Sequence, residues 1–143
     1  MIKNKLTNKN TIIIATGGTG GHVAPALSII SELIDHNLII ITDIRGEMFF
    51  KKFYKNEDKS SNINKTSLQL IVHDITSPNN KDLIKKLKSS FQILLSTIKC
   101  LNLFINNKPQ IIIGFGGYSS VTPLIAAKLL RIPIIIHEQN AVL

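Results

Sequence analysis

The chain of 143 residues has the length of one ordinary domain, and a hydrophobic fraction of 44% excludes a disordered chain. The formal net charge of +8 favours an anionic partner, such as nucleic acid, phospholipid or a phosphorylated metabolite. Most of the excess lies in residues 45–108, with twelve Lys and Arg against five Asp and Glu. Cys100, the single cysteine, cannot form an internal disulfide, which predicts a reducing cytoplasm. We expect neither a signal peptide nor a membrane span, because the polar stretch 1–10 precedes only five apolar residues.

Five short apolar runs predict β-strands at 11–15, 38–42, 68–73, 110–114 and 133–136. Their continuous apolarity indicates burial on both faces, which is typical of a parallel sheet covered by helices. Apolar residues at helical spacing predict the intervening helices at 23–34, 47–54, 82–107 and 120–130, with Pro25 and Pro123 each in a first turn. The order βαβαβαβαβ predicts an α/β fold, a doubly wound parallel sheet, over residues 11–143.

A glycine-rich loop at 17–21 follows the first strand and is followed directly by His22. Glycines let backbone amides approach a ligand closely, and the next helix adds the positive end of its dipole. This combination predicts a phosphate site. A histidine titrates near neutrality, so proton transfer could take place beside the bound anion.

Two further loops, 114–120 and 137–140, are expected at the same edge of the sheet, because each follows a parallel strand. Two familiar nucleotide motifs fail. The dinucleotide fingerprint needs a glycine where Val23 stands, and the P-loop needs a lysine where His22 stands. A nicotinamide oxidoreductase and a nucleoside triphosphatase are therefore disfavoured.

Three ordered motifs, GGTGGHxxPAL at 17–27, GxGGY at 114–118 and HEQN at 137–140, closely resemble the N-terminal half of the MurG family. These bacterial transferases add N-acetylglucosamine to lipid-linked muramyl pentapeptide (lipid I to lipid II) in peptidoglycan synthesis. The resemblance implies the Rossmann-like, acceptor-binding N-terminal domain of a GT-B glycosyltransferase. The family's C-terminal donor domain has no counterpart in residues 11–143, so the chain by itself is expected to be inactive, whether it is an excised piece, a split gene or a decaying gene.

The resemblance also implies roles for residues that match the family motifs. His22 corresponds to the base that takes the proton of the muramyl C4 hydroxyl while UDP departs with inversion. The donor contacts correspond to Thr19, Gly20, Gly21 and Asn140. The acceptor diphosphate would lie on backbone amides of Gly17, Gly18, Gly116, Gly117 and Tyr118. No metal or cofactor is expected, because the four histidines and one cysteine lack ligand spacing.

The implied partners are UDP-N-acetylglucosamine, the polyprenyl-diphosphate-linked muramyl pentapeptide, and the missing C-terminal domain or a separate chain. Since the acceptor stays in the bilayer, the resemblance implies a peripheral location on anionic lipid at the cytoplasmic face of the bacterial inner membrane. Helix 82–107, for which ordinary core packing is the commoner interpretation, is the candidate contact. Its lysines, Lys85, Lys86, Lys88 and Lys99, and its aromatic residues Phe91 and Phe104 fit such a surface, with Lys51, Lys52 and Lys55 expected nearby.

Other interpretations stay open. The alternative is a non-catalytic, membrane-recruiting subunit of a two-chain N-acetylglucosaminyltransferase, and nucleic acid is not expected, since the aromatic residues are not interleaved with the basic ones. Outside its motif, His22 would be interpreted as a helix cap. Simple structural roles are expected for the remaining candidates: a helix end for His36, a strand end for His73, a packed thiol for Cys100, and loop shaping for His137 and Glu138.

Overall fold

The computed structural model describes residues 10–33, 35–56, 67–73 and 83–138. Five strands alternate with four helices along this part of the chain. The strands are β1 (Thr11–Ala15), β2 (Asn37–Thr42), β3 (Ser67–Val72), β4 (Ile111–Gly114) and β5 (Ile134–Ile136). The helices are α1 (Gly20–Glu32), α2 (Ile44–Asn56), α3 (Leu83–Asn107) and α4 (Tyr118–Leu129).

All strand pairs are parallel, and the sheet has the order β3-β2-β1-β4-β5. The chain therefore moves outward from β1 to β3 and then returns to the other side of β1 to add β4 and β5. The strand order reverses between β1 and β4, where Ala15 is in register with Gly114. Ligands of such sheets bind at the carboxyl edge beside this reversal.

Helices cover both faces of the sheet. Alternate side chains of β1 point to opposite faces, so Ile12 and Ile14 pack in one core cluster with α1 and α2, through residues such as Phe50. Ile13 belongs to the second cluster, which contains Phe104 of α3 and the alanine pair of α4, Ala126 and Ala127. Burial of both faces explains why β1 and β2 are apolar without alternation.

The predicted doubly wound parallel sheet is confirmed, and each predicted element is present. The prediction of burial on both faces is wrong for β5, where Ile135 is 50% and Ile136 66% exposed, because β5 is an edge strand. The predicted first-turn position of the two prolines is also wrong. Pro25 and Pro123 are each the sixth residue of their helix, because the glycine and polar residues that begin α1 and α4 carry no apolar pattern. The domain limits, including the tail at 1–10, stay predictions.

Asp43 connects the loop after β1 to the start of α2. One carboxylate oxygen accepts hydrogen bonds from the amides of Arg45 (3.0 Å) and Gly46 (3.0 Å). The other accepts from the amide of Gly18 (3.2 Å) and from Arg45 Nη2 (3.0 Å). Burial alone would raise the pKa of Asp43, but these hydrogen bonds and the charge of Arg45 together lower it. The Asp43 carboxylate thus caps α2 and holds the glycine loop.

We expect Asp43→Ala to lower the free energy of unfolding by about 1–2 kcal/mol near neutral pH, because it removes a helix cap and the partner of Gly18. A pKa lowered by folding stabilises the protein above the unfolded value, and the effect is lost as the pH falls below the ordinary value of 3.8. Urea unfolding at about pH 7 and about pH 3 measures both effects. A difference between wild type and variant that is equal at the two pH values would contradict this role of the carboxylate.

Candidate functional site

The loops after β1 and β4 are hydrogen-bonded to each other at the reversal point of the sheet. Phe115 N donates to Ala15 O (2.8 Å), and Gly17 N donates to Gly116 O (2.8 Å). The buried hydroxyl of Ser119 adds a third bond, to Thr16 O (2.9 Å). The two predicted glycine loops therefore form one surface at the carboxyl edge of the sheet, which we call the loop junction (residues 16–22 and 115–120).

Glycine is required where the two loops cross. Gly117 has φ +80°, and a Cβ built there would lie 2.5 Å from the Cα of Gly17. A Cβ on Gly17 would lie 2.8 Å from the Cα of Gly117. These are backbone contacts that no side-chain rotation can relieve, so both positions depend on glycine for close packing.

The amides of the loop junction divide into two groups. Gly17 N and Gly18 N are used inside the protein, by Gly116 O and the Asp43 carboxylate. The first amides of α1 and α4, at Gly20 and Gly21 and at Tyr118 and Ser119, have no acceptor within their helices. Neither helix has an acidic residue in its first turn, so neither compensates the positive end of its own dipole at the junction. An anion is therefore best held by the amides that begin α1 and α4.

The five residues predicted to bind the acceptor diphosphate differ in whether their amides are available to a ligand. Gly116, Gly117 and Tyr118 lie at the loop junction, as expected, and Tyr118 is 40% exposed as the first residue of α4. Gly17 and Gly18 also lie there, but their amides would have to give up existing hydrogen bonds to reach a ligand. The structure gives those two glycines a packing function, and their contact with a diphosphate stays a prediction.

His22 lies between the two loops. Its Nδ1 shares a hydrogen bond with the hydroxyl of Thr19, the residue that caps α1. The other edge of the ring faces Gly116, where a built Cβ would lie 2.8 Å from His22 Cδ2 and 3.0 Å from Nε2. The half-buried imidazole is therefore hydrogen-bonded at one edge and lies close to Gly116 at the other, beside the amides that begin α1.

Thr19, Gly20 and Gly21, the predicted donor contacts, form the exposed start of α1. A Cβ added at Gly20 would meet no atom within 4 Å, so open space lies in front of this residue. Asn140, the fourth predicted donor contact, lies outside the described residues. The contacts of all four with a donor stay predictions.

Asp43 and Arg45 belong to the edge of the site and were missed by the sequence analysis. A Cβ on Gly18 would lie 2.6 Å from Arg45 Cβ, so the arginine stem covers the glycine loop, and its side chain is 64% exposed. The signal was present, because an aspartate directly before an amphipathic helix is a typical cap. Arg45 adds a positive charge at this edge, partly neutralised by its ion pair with Asp43.

The third predicted loop begins at the same edge. His137 N donates to Gly114 O (2.8 Å), and the His137 ring lies 5.5 Å from the Phe115 ring. His137 thus joins the end of β5 to the β4 loop, consistent with the loop-shaping function expected for it.

The remaining candidates lie away from the loop junction. Cys100 is fully buried, and burial raises the pKa of its thiol to about 11 against the opposing effect of Thr122, so it is a packed thiol as expected. His73 follows β3, and its Nδ1 lies 3.8 Å from Cys100 Sγ. Burial is the larger cause that lowers the pKa of His73, and the positive charge of Lys99 is the smaller one. Within the described ranges, no group of three or more His, Cys, Asp and Glu side chains could hold a metal ion.

The arrangement can hold an anion on backbone amides while His22, held between Thr19 and Gly116, exchanges a proton with a neighbouring hydroxyl. These are the elements of group transfer to or from a phosphorylated molecule.

Comparison with known proteins agrees with this chemistry. A curated relative from Wolbachia pipientis, named UDP-N-acetylglucosamine--N-acetylmuramyl-(pentapeptide) pyrophosphoryl-undecaprenol N-acetylglucosamine transferase, is 41% identical over 135 residues, which cover 93% of this chain and 33% of the relative. A relative of the same name from Rhodospirillum centenum is 35% identical over 135 residues, covering 92% of this chain and 32% of the relative. The chain thus spans about a third of the length of these relatives.

A solved structure is also similar. The crystal structure of MurG from Acinetobacter baumannii matches with a TM-score of 0.67 and 30% identity, over 93% of this chain and 36% of that one. The sequence model of the glycosyltransferase family 28 N-terminal domain matches residues 12–143. Because this match covers nearly the whole chain, including both glycine loops and His22, the chain belongs to the glycosyltransferase family 28 N-terminal domain family.

Proposed function

We propose that this chain is the acceptor-binding part of an inverting glycosyltransferase of peptidoglycan synthesis. The observation that carries the proposal is the loop junction, in which His22 lies between two helix N-termini at the reversal point of the sheet. The names of the relatives supply the substrates: UDP-N-acetylglucosamine as donor and pyrophosphoryl-undecaprenol-linked N-acetylmuramyl-pentapeptide as acceptor. The donor domain would come from chain outside these residues.

In the proposed reaction, His22 Nε2 takes the proton of the muramyl C4 hydroxyl as its oxygen attacks the anomeric carbon of N-acetylglucosamine. The new C–O bond forms as the bond to UDP breaks, with inversion, and UDP leaves with the electron pair. The amides that begin α1 stabilise the charge that develops on the departing diphosphate.

The outer surface of α3 and α4 supports attachment to an anionic bilayer. Phe91, Leu94 and Ile98 form an exposed apolar stripe on α3. The expectation was wrong for Phe104, which is buried in the core, and for the three lysines of α2, since α2 packs on the opposite face of the sheet. A groove of about 380 Å³ on α4 is lined by Val121, Leu124, Ile125, Lys128 and Leu129. Residues 83–137 contain seven Lys and Arg and no Asp or Glu. No helix in the described ranges is long and apolar enough to cross a membrane. An apolar surface with only basic charge favours peripheral binding to anionic lipid.

Anion binding is tested with Gly20→Val. We expect weaker binding of pyrophosphate, because the side chain would fill the open space in front of the α1 amides, while the free energy of unfolding stays nearly unchanged. Isothermal titration and urea unfolding measure the two effects. Gly20→Ala is the matched control and should weaken binding less. Unchanged pyrophosphate affinity of the valine variant would contradict a site at the start of α1.

Catalysis is tested by joining this chain to the C-terminal two thirds of the Wolbachia pipientis relative and assaying transfer from UDP-N-acetylglucosamine. We expect His22→Ala to lower kcat by about 10²–10⁴-fold, the usual contribution of a positioned general base, with nearly unchanged thermal stability. His36→Ala is the control, because His36 precedes β2 at the opposite edge of the sheet. Normal kcat without the His22 imidazole would show that this residue is only a helix cap or a binding contact and would contradict its function as the base.

Membrane attachment is tested by sedimentation with vesicles. We expect binding to anionic vesicles that weakens as salt rises, and weaker binding to neutral ones. Phe91→Ser with Ile98→Ser should reduce binding about tenfold or more, because two apolar side chains are lost from the stripe. The control pair is Met48→Ser with Phe49→Ser, exposed on α2 across the sheet. Equal binding to both lipids would overturn the preference for anionic lipid, and binding to neither would overturn the attachment.

A further inference from the structure

The hydroxyl of Thr19 does not make the hydrogen bond to the helix backbone that a threonine usually makes at the start of a helix. Thr19 caps α1 with an extended backbone (φ −92°, ψ 149°), yet its hydroxyl makes no hydrogen bond to the helix backbone. The amide that such a hydroxyl normally caps is that of His22, and this amide bonds to Thr19 O instead (3.0 Å). The hydroxyl is thereby free to bond the His22 side chain at Nδ1.

The proton in the hydrogen bond between Thr19 and His22 can belong either to the Thr19 hydroxyl or to His22 Nδ1. A neutral imidazole has one N–H donor and one acceptor, whereas a hydroxyl has one donor and two acceptor positions. If Thr19 donates, the imidazole proton lies on Nε2, which then cannot act as a base. If Nδ1 donates to Thr19, Nε2 keeps its lone pair at the Gly116 side of the ring. Only the second tautomer serves the proposed reaction.

An anion at the start of α1 selects between these two states. A phosphate oxygen accepts hydrogen bonds and donates none, so the single proton of the Thr19 hydroxyl is drawn to the anion. The hydroxyl oxygen can then only accept from His22 Nδ1–H. Thr19 is exposed at the same helix end as the free amides of Gly20 and Gly21, so it lies beside the anion position.

We propose that Thr19 is a positioning residue that couples a diphosphate bound at the start of α1 to the tautomer of His22, leaving Nε2 free to accept a proton only when the diphosphate is present. This inference rests on the proposed function and adds a regulatory step to the same site. It would keep the base inactive in the absence of a bound diphosphate. A Cβ built on Gly116 would lie 3.0 Å from Nε2, so this nitrogen lies at the loop junction.

The tautomer is measured directly by ¹⁵N NMR of the imidazole nitrogens in the 143-residue chain, with and without pyrophosphate, at a pH where imidazoles are neutral. We expect pyrophosphate to move His22 towards the Nδ1–H form in the wild type and in Thr19→Ser. Thr19→Val, which keeps the shape but has no hydroxyl, should show no such change. His36, His73 and His137 serve as internal controls.

The outcomes separate this inference from the proposed function. Pyrophosphate that perturbs the Gly20 and Gly21 amides but leaves the His22 tautomer unchanged would overturn the coupling alone. The same tautomer change in Thr19→Val would also overturn it. Pyrophosphate that perturbs neither amide would contradict the anion site itself, and the coupling with it.

A double-mutant cycle in the joined enzyme gives an independent test. We expect Thr19→Val to lower kcat about tenfold when His22 is present, with recovery in Thr19→Ser, and to have no further effect on kcat in the His22→Ala background. A purely structural or donor-binding function of Thr19 would lower activity in both backgrounds. Additive losses would therefore overturn the positioning function.

Discussion

The close approach of two backbones, at Gly17 and Gly117, is the constraint on which the rest of the site depends. A Cβ at either residue would lie less than 3 Å from the other chain segment, so the loops after β1 and β4 can cross only through glycine. Their crossing brings the N-termini of α1 and α4 together at the reversal point of the sheet. The same crossing brings Gly116 against the His22 ring. One steric condition thereby brings together the amides that are proposed to bind an anion and the proposed base.

Most of the fold could be predicted from the sequence. The buried parallel strands have continuous runs of isoleucine, and the turns between them have clusters of glycine or polar residues. The prediction is wrong for β5, whose isoleucines lie at an edge, since a buried strand and an exposed apolar edge have the same local pattern. The helix starts were placed late for a related reason. The first turns of α1 and α4 consist mostly of glycine and polar residues, so they carry no apolar periodicity.

The site was predicted less completely than the fold. The motifs predicted that the two glycine loops lie at one edge of the sheet, but they could not show that the amides of Gly17 and Gly18 are already used within the protein. That depends on contacts with Gly116 and Asp43, which are distant in sequence. Likewise, a threonine before a helix is normally read as a backbone cap, and only the structure shows that the Thr19 hydroxyl bonds His22 instead.

Helix α4 places next to each other the two environments that the proposed acceptor needs, which are amides for a diphosphate and an apolar surface for a lipid tail. Its N-terminus, at Tyr118, offers free amides to a diphosphate, while the apolar groove runs along the same helix from Val121 to Leu129. An amphiphile with a charged head and an apolar tail needs these two environments next to each other. Because residues 83–137 carry basic but no acidic side chains, this region would favour anionic lipid in the proposed attachment. The reacting end of such an acceptor could then enter the loop junction while its tail stays in the bilayer.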